Sequence, residues 1–376
     1  MSGPLSGLKV LEMPAIGPVP FCGMLFADLG AEVLRIDRKE DAGLGIAIEP
    51  QYELLGRGKR SLALDLKDGR DRDTVLDLAR RADVLLEGFR PGVMEALGLG
   101  PDVVLERNPR LVYGRMTGWG QEGPLAASAG HDINYIALTG ALHACGDKDG
   151  PPLAPLNLVG DFGGGTLYLA MGVLSALYER QSSGRGQVVD AAMVDGAASL
   201  MTVFYGMLAQ GIWKDERGAN LIDGGAPWYG VYRCKDGLYV AIGALEDKFF
   251  DVLLERLGLD PAIAARRADR DAWPAIRRKL GETFLERTRE EWCAALEGTD
   301  ACFAPVLSLS EAASHPQMRA RNTFVDLFDV VQPAPAPRFS RTPGAIRGPA
   351  SARDKGGADL AARWVAGGTP EDGTAS

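Results

Sequence analysis

The chain has 376 residues, 46% of them hydrophobic and 24% charged, with a formal net charge of −9. This is globular composition, long enough for two domains or one large domain with an insertion, and its acidic balance excludes a diffuse nucleic-acid interface, which needs a strong basic field. Cys22, Cys145, Cys234, Cys293 and Cys302 are odd in number and scattered, with no C-x-x-C spacing, which excludes a disulfide framework or a zinc site and fits a reducing cytoplasm.

From the N-terminus, MSGPLSGLKVLEM lacks a basic stretch followed by an apolar one, so no signal peptide is expected. Lys9–Met13 and Ala31–Asp37 read as strands around a helix over Phe21–Leu29. Ser61–Leu66 and Ala82–Phe89 read as strands around the charged helix Gly69–Arg81, and Leu111–Thr117 as a further strand. Such alternation predicts an α/β large domain, with a mostly parallel sheet covered on both faces. No G-x-G-x-x-G follows the first strand, so a nicotinamide dinucleotide site is not supported. An apolar helix is expected from Thr166 to about Gln181. Its longest apolar run, Leu167–Tyr178, reads as too short to span a bilayer, so no membrane insertion is expected. A strand over Gln187–Ala191 and a helix over Met193–Ala209 follow.

After Gly224-Gly225-Ala226-Pro227 the pattern changes. Trp228–Arg233 and Leu238–Gly243 flank a turn and read as a hairpin. Helices over Asp247–Leu257, Trp273–Arg287 and Arg289–Glu297 complete a smaller α/β domain. The expected division is 1–200 for the first part of the large domain, 201–224 for a linker helix and 225–315 for the small domain. Residues 316–376 return to the large domain, with Pro333–Pro337 as a connector and a peripheral Gly- and Ala-rich tail.

Two polar motifs stand out. Gly130-His131-Asp132-Ile133-Asn134-Tyr135 holds one of only three histidines. Gly160-Asp161-Phe162-Gly163-Gly164-Gly165 sets a carboxylate before three glycines that lead into the apolar helix. Glycines at 163–165 permit close backbone approach, and helix-start N–H groups there suit an anion. His131 and Asp161 converging on one ligand would make a two-base proton-transfer site. Each also has a plainer reading, Asp161 as a helix cap and His131 as a hydrogen-bonded structural residue. His143 and His315 read as structural. Arg38, Lys67 and Arg90 each fall just past the end of a predicted strand, where parallel sheets bind ligands, so the three suit one anionic ligand such as a phosphate. Solvated strand-end cations are the alternative.

Five segments in order resemble the family III CoA-transferases, and within them the α-methylacyl-CoA racemases. They are LSGLKVLEM with GPVPFCGMLFADLGAEVLRIDR, ADVLLEGFRPGVMEALGLG, YGRMTGWGQEGPLAASAGHDINYIALTGAL, PLNLVGDFGGGTLYLAMGVLSALYERQSSGRGQVVDAAMVDG and PAPRFSRTPG. The resemblance implies a Rossmann-like large domain and a smaller α/β domain in an intertwined homodimer. It implies His131 and Asp161 as catalytic bases, with Glu246 supporting the histidine; an ordinary helix-start glutamate is the other reading of Glu246. Coenzyme A, as part of an acyl-CoA substrate, is implied to lie on Arg38, Lys67 and the Gly88-Phe89-Arg90 turn. The Leu64-Asp65-Leu66 strand end is implied beside the nucleotide, and Gly130, Asp132, Ile133, Asn134 and Tyr135 along the thioester. No metal or separate cofactor is implied. Ala96 departs from the pattern, because racemases commonly carry arginine there. A CoA-transferase with Asp161 as nucleophile is the nearest alternative. Transferases of the family lack the histidine and carry a longer glycine string than Gly224-Gly225. A non-catalytic CoA-binding scaffold would need neither base. The acyl chain (α-methyl fatty acyl, bile-acid-like or sterol side chain) is left open.

Overall fold

The computed structural model describes residues 3–40, 43, 46 and 48–367. They form two compact units. The first takes the described residues of Met1–Thr139, Pro155–Met201 and Asn322–Ser376; the second takes Gly140–Ala154 and Thr202–Arg321. The second unit is therefore larger than composition suggests. It takes in the stretch 202–224 expected as a linker, and also 140–154, which the sequence reading left in the large domain.

Six parallel strands build the first unit: β1 (Lys9–Glu12), β2 (Glu32–Asp37), β3 (Arg60–Ala63), β4 (Val84–Glu87), β5 (Val112–Thr117) and β6 (Val188–Ala192). Their spatial order is β3-β2-β1-β4-β5-β6. This is the doubly wound order, with a topological switch between β1 and β4. Alternation along β1 sends Val10 to one face and Leu11 to the other, and both are fully buried. Helices Pro18–Asp28 and Leu167–Ser183 cover the Val10 face through Phe26, Leu169 and Val173. Helices Gly69–Ala79, Pro101–Arg107 and Gly357–Ala366 cover the Leu11 face through Leu78, Val104 and Trp364. Burial on both faces is why the central strands read as unbroken apolar runs.

Two expectations change here. The tail is not peripheral as far as residue 367: helix Gly357–Ala366 buries Leu360 and Trp364, and the Trp364 indole donates to Glu32 over 2.8 Å. The apolar helix also starts earlier, because a π-helical stretch, Leu158–Thr166, runs directly into Leu167–Ser183. The combined 26 residues are long and apolar enough to cross a membrane by length and composition. One face of it, with Leu169, Ala170, Val173 and Ala176, is nevertheless buried, and the helix packs on β5 and β6.

The second unit holds the predicted hairpin, β7 (Tyr229–Arg233) against β8 (Tyr239–Gly243), extended by β9 (Phe303–Pro305) in an antiparallel sheet. Helices Asp247–Leu257, Trp273–Phe284 and Arg289–Leu296 pack around Trp228, Phe250, Phe284 and Trp292. Back in the first unit, β10 (Phe324–Leu327) and β11 (Val330–Pro333) form a further hairpin that sequence patterning did not reveal.

Candidate active site

A cavity of about 1110 Å³ opens in the first unit at the carboxyl ends of the parallel strands. Every strand of that sheet contributes the residues that follow it. They are Ile16–Val19 after β1, Arg38–Glu40 after β2, Leu64–Lys67 after β3, Gly88–Pro91 after β4, Gly118–Trp119 after β5 and Met193 after β6. The strand order and the crevice position agree with the general rule for doubly wound sheets.

One part of the wall is cationic. Arg38, Lys67 and Arg90 all line the cavity, and none has an ion-pair partner among the described residues. The neighbouring Lys39 is different: its ammonium pairs with Asp71 at 2.6 Å. The Leu64–Lys67 turn is shaped by Asp65, whose carboxylate accepts the Lys67 N–H at 2.9 Å while its own N–H goes to Asp71. The Gly88–Arg90 turn rests on a buried charge network. Glu87 accepts the Phe89 N–H at 2.7 Å and the Arg115 guanidinium at 2.8 Å, and Arg115 reaches on to Glu95. Burial raises the Glu87 carboxyl, against the opposing pull of Arg115. Cations with no ion-pair partner among the described residues leave this part of the wall able to neutralise an anion without first breaking an ion pair.

His131 and Asp161 line the same cavity. His131 is the residue before helix Asp132–Leu138, and its N–H donates to the Asn134 side chain at 3.0 Å. Tyr135 packs edge-on to Trp119, with ring centroids 4.8 Å apart, and its hydroxyl donates to the Gly130 carbonyl. These contacts fix the peptide just before the histidine. Asp161 does not cap a helix. It lies inside the first π-helical turn, where Asn157 donates to its Oδ2 at 3.1 Å. Across from it, Gly17 has a φ of 67°, and a β-carbon there would stand 3.5 Å from the same oxygen. Helix Pro18–Asp28 is tied to the π-helical stretch by Thr166, which donates to the Pro18 carbonyl at 2.8 Å, and by Phe21 edge-on to Phe162. Burial pushes the Asp161 carboxyl above its ordinary range, opposed by the Asn157 bond and reinforced by the nearby Asp132 charge. A raised carboxylate is a stronger base toward a carbon acid.

The family model for CoA-transferase family III matches residues 5–354. The chain belongs to CoA-transferase family III. It is 45% identical to a Mus musculus protein named alpha-methylacyl-CoA racemase, covering 93% of this chain and 89% of that one. A Homo sapiens protein of the same name is 44% identical over 90% and 87%. Among solved structures, a CAIB/BAIF family protein from Brucella suis superposes with a TM-score of 0.83 at 27% identity, covering 97% of this chain and 100% of that one.

In this family III chain the structure also separates residues that the sequence grouped together. Asp132, Ile133 and Asn134 do not line the cavity. Asp132 is 5% exposed, and its carboxylate faces backbone instead. Residues 163–166 also lie outside the lining. Their glycines serve packing: a β-carbon on Gly164 would stand 2.5 Å from the Ala197 nitrogen in helix Met193–Leu200. The N–H groups that close contact was expected to free are spent in a continuous helix, as in the Leu167 N–H bonded to the Phe162 carbonyl. Ala96 is exposed and outside the lining, although its neighbours Val93 and Leu97 are in it.

Glu246 belongs to the second unit, where it is exposed and stands before helix Asp247–Leu257. Its loop is held by a residue that sequence reasoning missed. Arg267 donates to the Ala244 and Leu245 carbonyls, with its guanidinium 4.4 Å from the Trp228 ring and 4.8 Å from Phe250. Asn157 was missed as well. Its only sequence signal was its position four residues before Asp161, which brings the two side chains together on a helix.

Proposed function

We propose that this chain is an α-methylacyl-CoA racemase, which interconverts the 2R and 2S forms of 2-methylacyl-CoA thioesters by 1,1-proton transfer. The observation that carries the reading is the presence of both His131 and Asp161 on the wall of one cavity that also bears Arg38, Lys67 and Arg90. The relatives named racemases support it further.

The thioester carbonyl makes the α-proton removable but leaves it weakly acidic. In one direction the Asp161 carboxylate takes the proton, and the C–H electron pair moves onto the thioester oxygen. The enolate then collapses as the His131 imidazolium delivers a proton to the opposite face. In the reverse direction neutral His131 takes the proton and Asp161 returns one. Arg38, Lys67 and Arg90 hold the phosphates of coenzyme A, and no metal or separate cofactor enters the reaction. A transferase in which Asp161 attacks the thioester would have no use for His131.

The test is a single enantiomer of a 2-methylacyl-CoA incubated with the protein and a free carboxylic acid. Conversion to a mixture of both configurations, with the thioester intact, is expected. Transfer of CoA to the acid with configuration retained overturns the reading.

The cationic rim gives a separate prediction. Arg38→Ala raises KM for acyl-CoA about tenfold with little change in kcat, because a phosphate contact binds ground and transition states alike. A pantetheine thioester without the nucleotide is insensitive to the change. Equal losses on both substrates would mean that Arg38 has a structural role.

The reading includes a homodimer. Leu167, Met171 and Tyr178 are each more than half exposed on one helix, which suits burial against a second copy. Light scattering should give twice the 40.0 kDa chain mass; a fully active monomer would contradict it.

A further inference from the structure

We infer that Asp132 is a positioning residue that sets the distance between the two bases, a role that rests on the racemase reading above. Its side chain is buried, yet it belongs to the residue next to His131 and reaches across to the other base. Oδ2 accepts the N–H of Gly160 at 2.6 Å and the N–H of Asp161 at 2.7 Å. These two amides lie in the first turn of Leu158–Thr166, where helical N–H groups have no partner within the helix. One carboxylate oxygen therefore caps the segment that carries Asp161 from the segment that carries His131.

The fit is close. A β-carbon on Gly160 would stand 2.6 Å from that same oxygen, so only glycine lets the clamp shut. The other oxygen, Oδ1, is buried and accepts no hydrogen bond from the described residues. A buried carboxylate with an unsatisfied oxygen costs stability. Asn157 stands at the N-cap, where a side-chain cap would avoid that cost, but it makes no cap bond and donates to Asp161 instead. The arrangement makes sense where the distance between two backbones matters more than the stability of either. Proton transfer to both faces of one carbon has that requirement, since a misplacement of 1 Å costs about 10²-fold in rate.

The test uses Asp132→Ala and Asp132→Asn in the full-length protein, with kcat, KM and α-deuterium wash-in measured for each enantiomer separately. Ala removes the clamp; Asn keeps one acceptor oxygen in the same place. We expect Asp132→Ala to lower kcat about 10²-fold with KM unchanged, and Asp132→Asn to recover most of the loss. Wash-in should fall on one enantiomer only, the one that also loses wash-in in Asp161→Ala, because His131 keeps its own contacts to Asn134. The inference is overturned if Asp132→Ala retains wild-type kcat. It is equally overturned if wash-in falls alike on both enantiomers and Asn gives no rescue. Wild-type protein without wash-in on either enantiomer would sink the racemase reading, and this role with it. Wild-type wash-in with an unaffected Asp132→Ala sinks the role alone.

Discussion

Replacing His131 or Asp161 by alanine should remove net racemisation, with each loss on the order of 10²–10⁴-fold or more. Inversion needs a proton acceptor on one face of the α-carbon and a donor on the other, so neither group substitutes for its partner. The two variants should differ in what survives. His131→Ala keeps Asp161, with Asn157 and the Asp132 clamp intact, and should still exchange the α-proton of one enantiomer with solvent. Asp161→Ala should exchange only the other. Asp161→Asn separates charge from shape, because the amide fills the same volume but cannot act as a base; it should match the alanine variant in rate. Chiral analysis of the product beside deuterium content checks all three. A transferase would respond differently, losing everything with Asp161 and little with His131.

Lys59→Met should be the most damaging single change away from the cavity, destabilising the fold by about 3–5 kcal/mol. Lys59 and Glu12 are 1% and 0% exposed, and the ammonium donates to both carboxylate oxygens at 2.9 and 2.6 Å. Its third bond, 2.8 Å long, goes to the Pro20 carbonyl, so the pair also anchors the start of helix Pro18–Asp28, which borders Asp161. Methionine fills the space but strands a buried carboxylate. Burial already raises the Glu12 carboxyl, with Lys59 opposing the shift, and removing Lys59 raises it further. The folded state of the variant then binds a proton more tightly than the unfolded chain does. Its stability deficit should accordingly shrink as the pH falls toward the ordinary carboxylate range and grow above it. Urea unfolding at about pH 5 and about pH 8 measures this. A deficit that does not change with pH would contradict the assignment. Glu12→Leu combined with Lys59→Met should restore most of the loss, since apolar replacement of a whole buried pair is often neutral.

The large sheet was legible because βαβ units write their periodicity locally: apolar runs of four to six residues, separated by amphipathic helices. Strand ends followed from the same pattern, which is why Arg38, Lys67 and Arg90 were predicted on one rim and lie on one cavity. His131 and Asp161 stood out as polar residues among glycines, and the resemblance joined them. Features that depend on distant contacts were not legible. The Gly163–Gly165 run reads as a loop that approaches a ligand, and only the helix Met193–Leu200 packed against it shows the glycines to be spacers. The final helix hides in a Gly- and Ala-rich tail because Leu360 and Trp364 alone carry its apolar face. Asp132 reads as a ligand contact, since nothing local reveals that its carboxylate reaches amides 28 and 29 positions away. The extent of the second unit was missed for a similar reason, because 140–154 joins it through spatial contacts that composition does not encode.

The central claim is that this cavity moves a proton between the two faces of an α-carbon. The most direct measurement is mass spectrometry of a single-enantiomer 2-methylacyl-CoA after incubation with wild-type protein in heavy water. The account predicts one deuterium at Cα, accumulating together with loss of configuration and with the thioester intact. Recovery of the starting enantiomer without α-deuterium, while CoA exchanges onto added carboxylic acids, would contradict it.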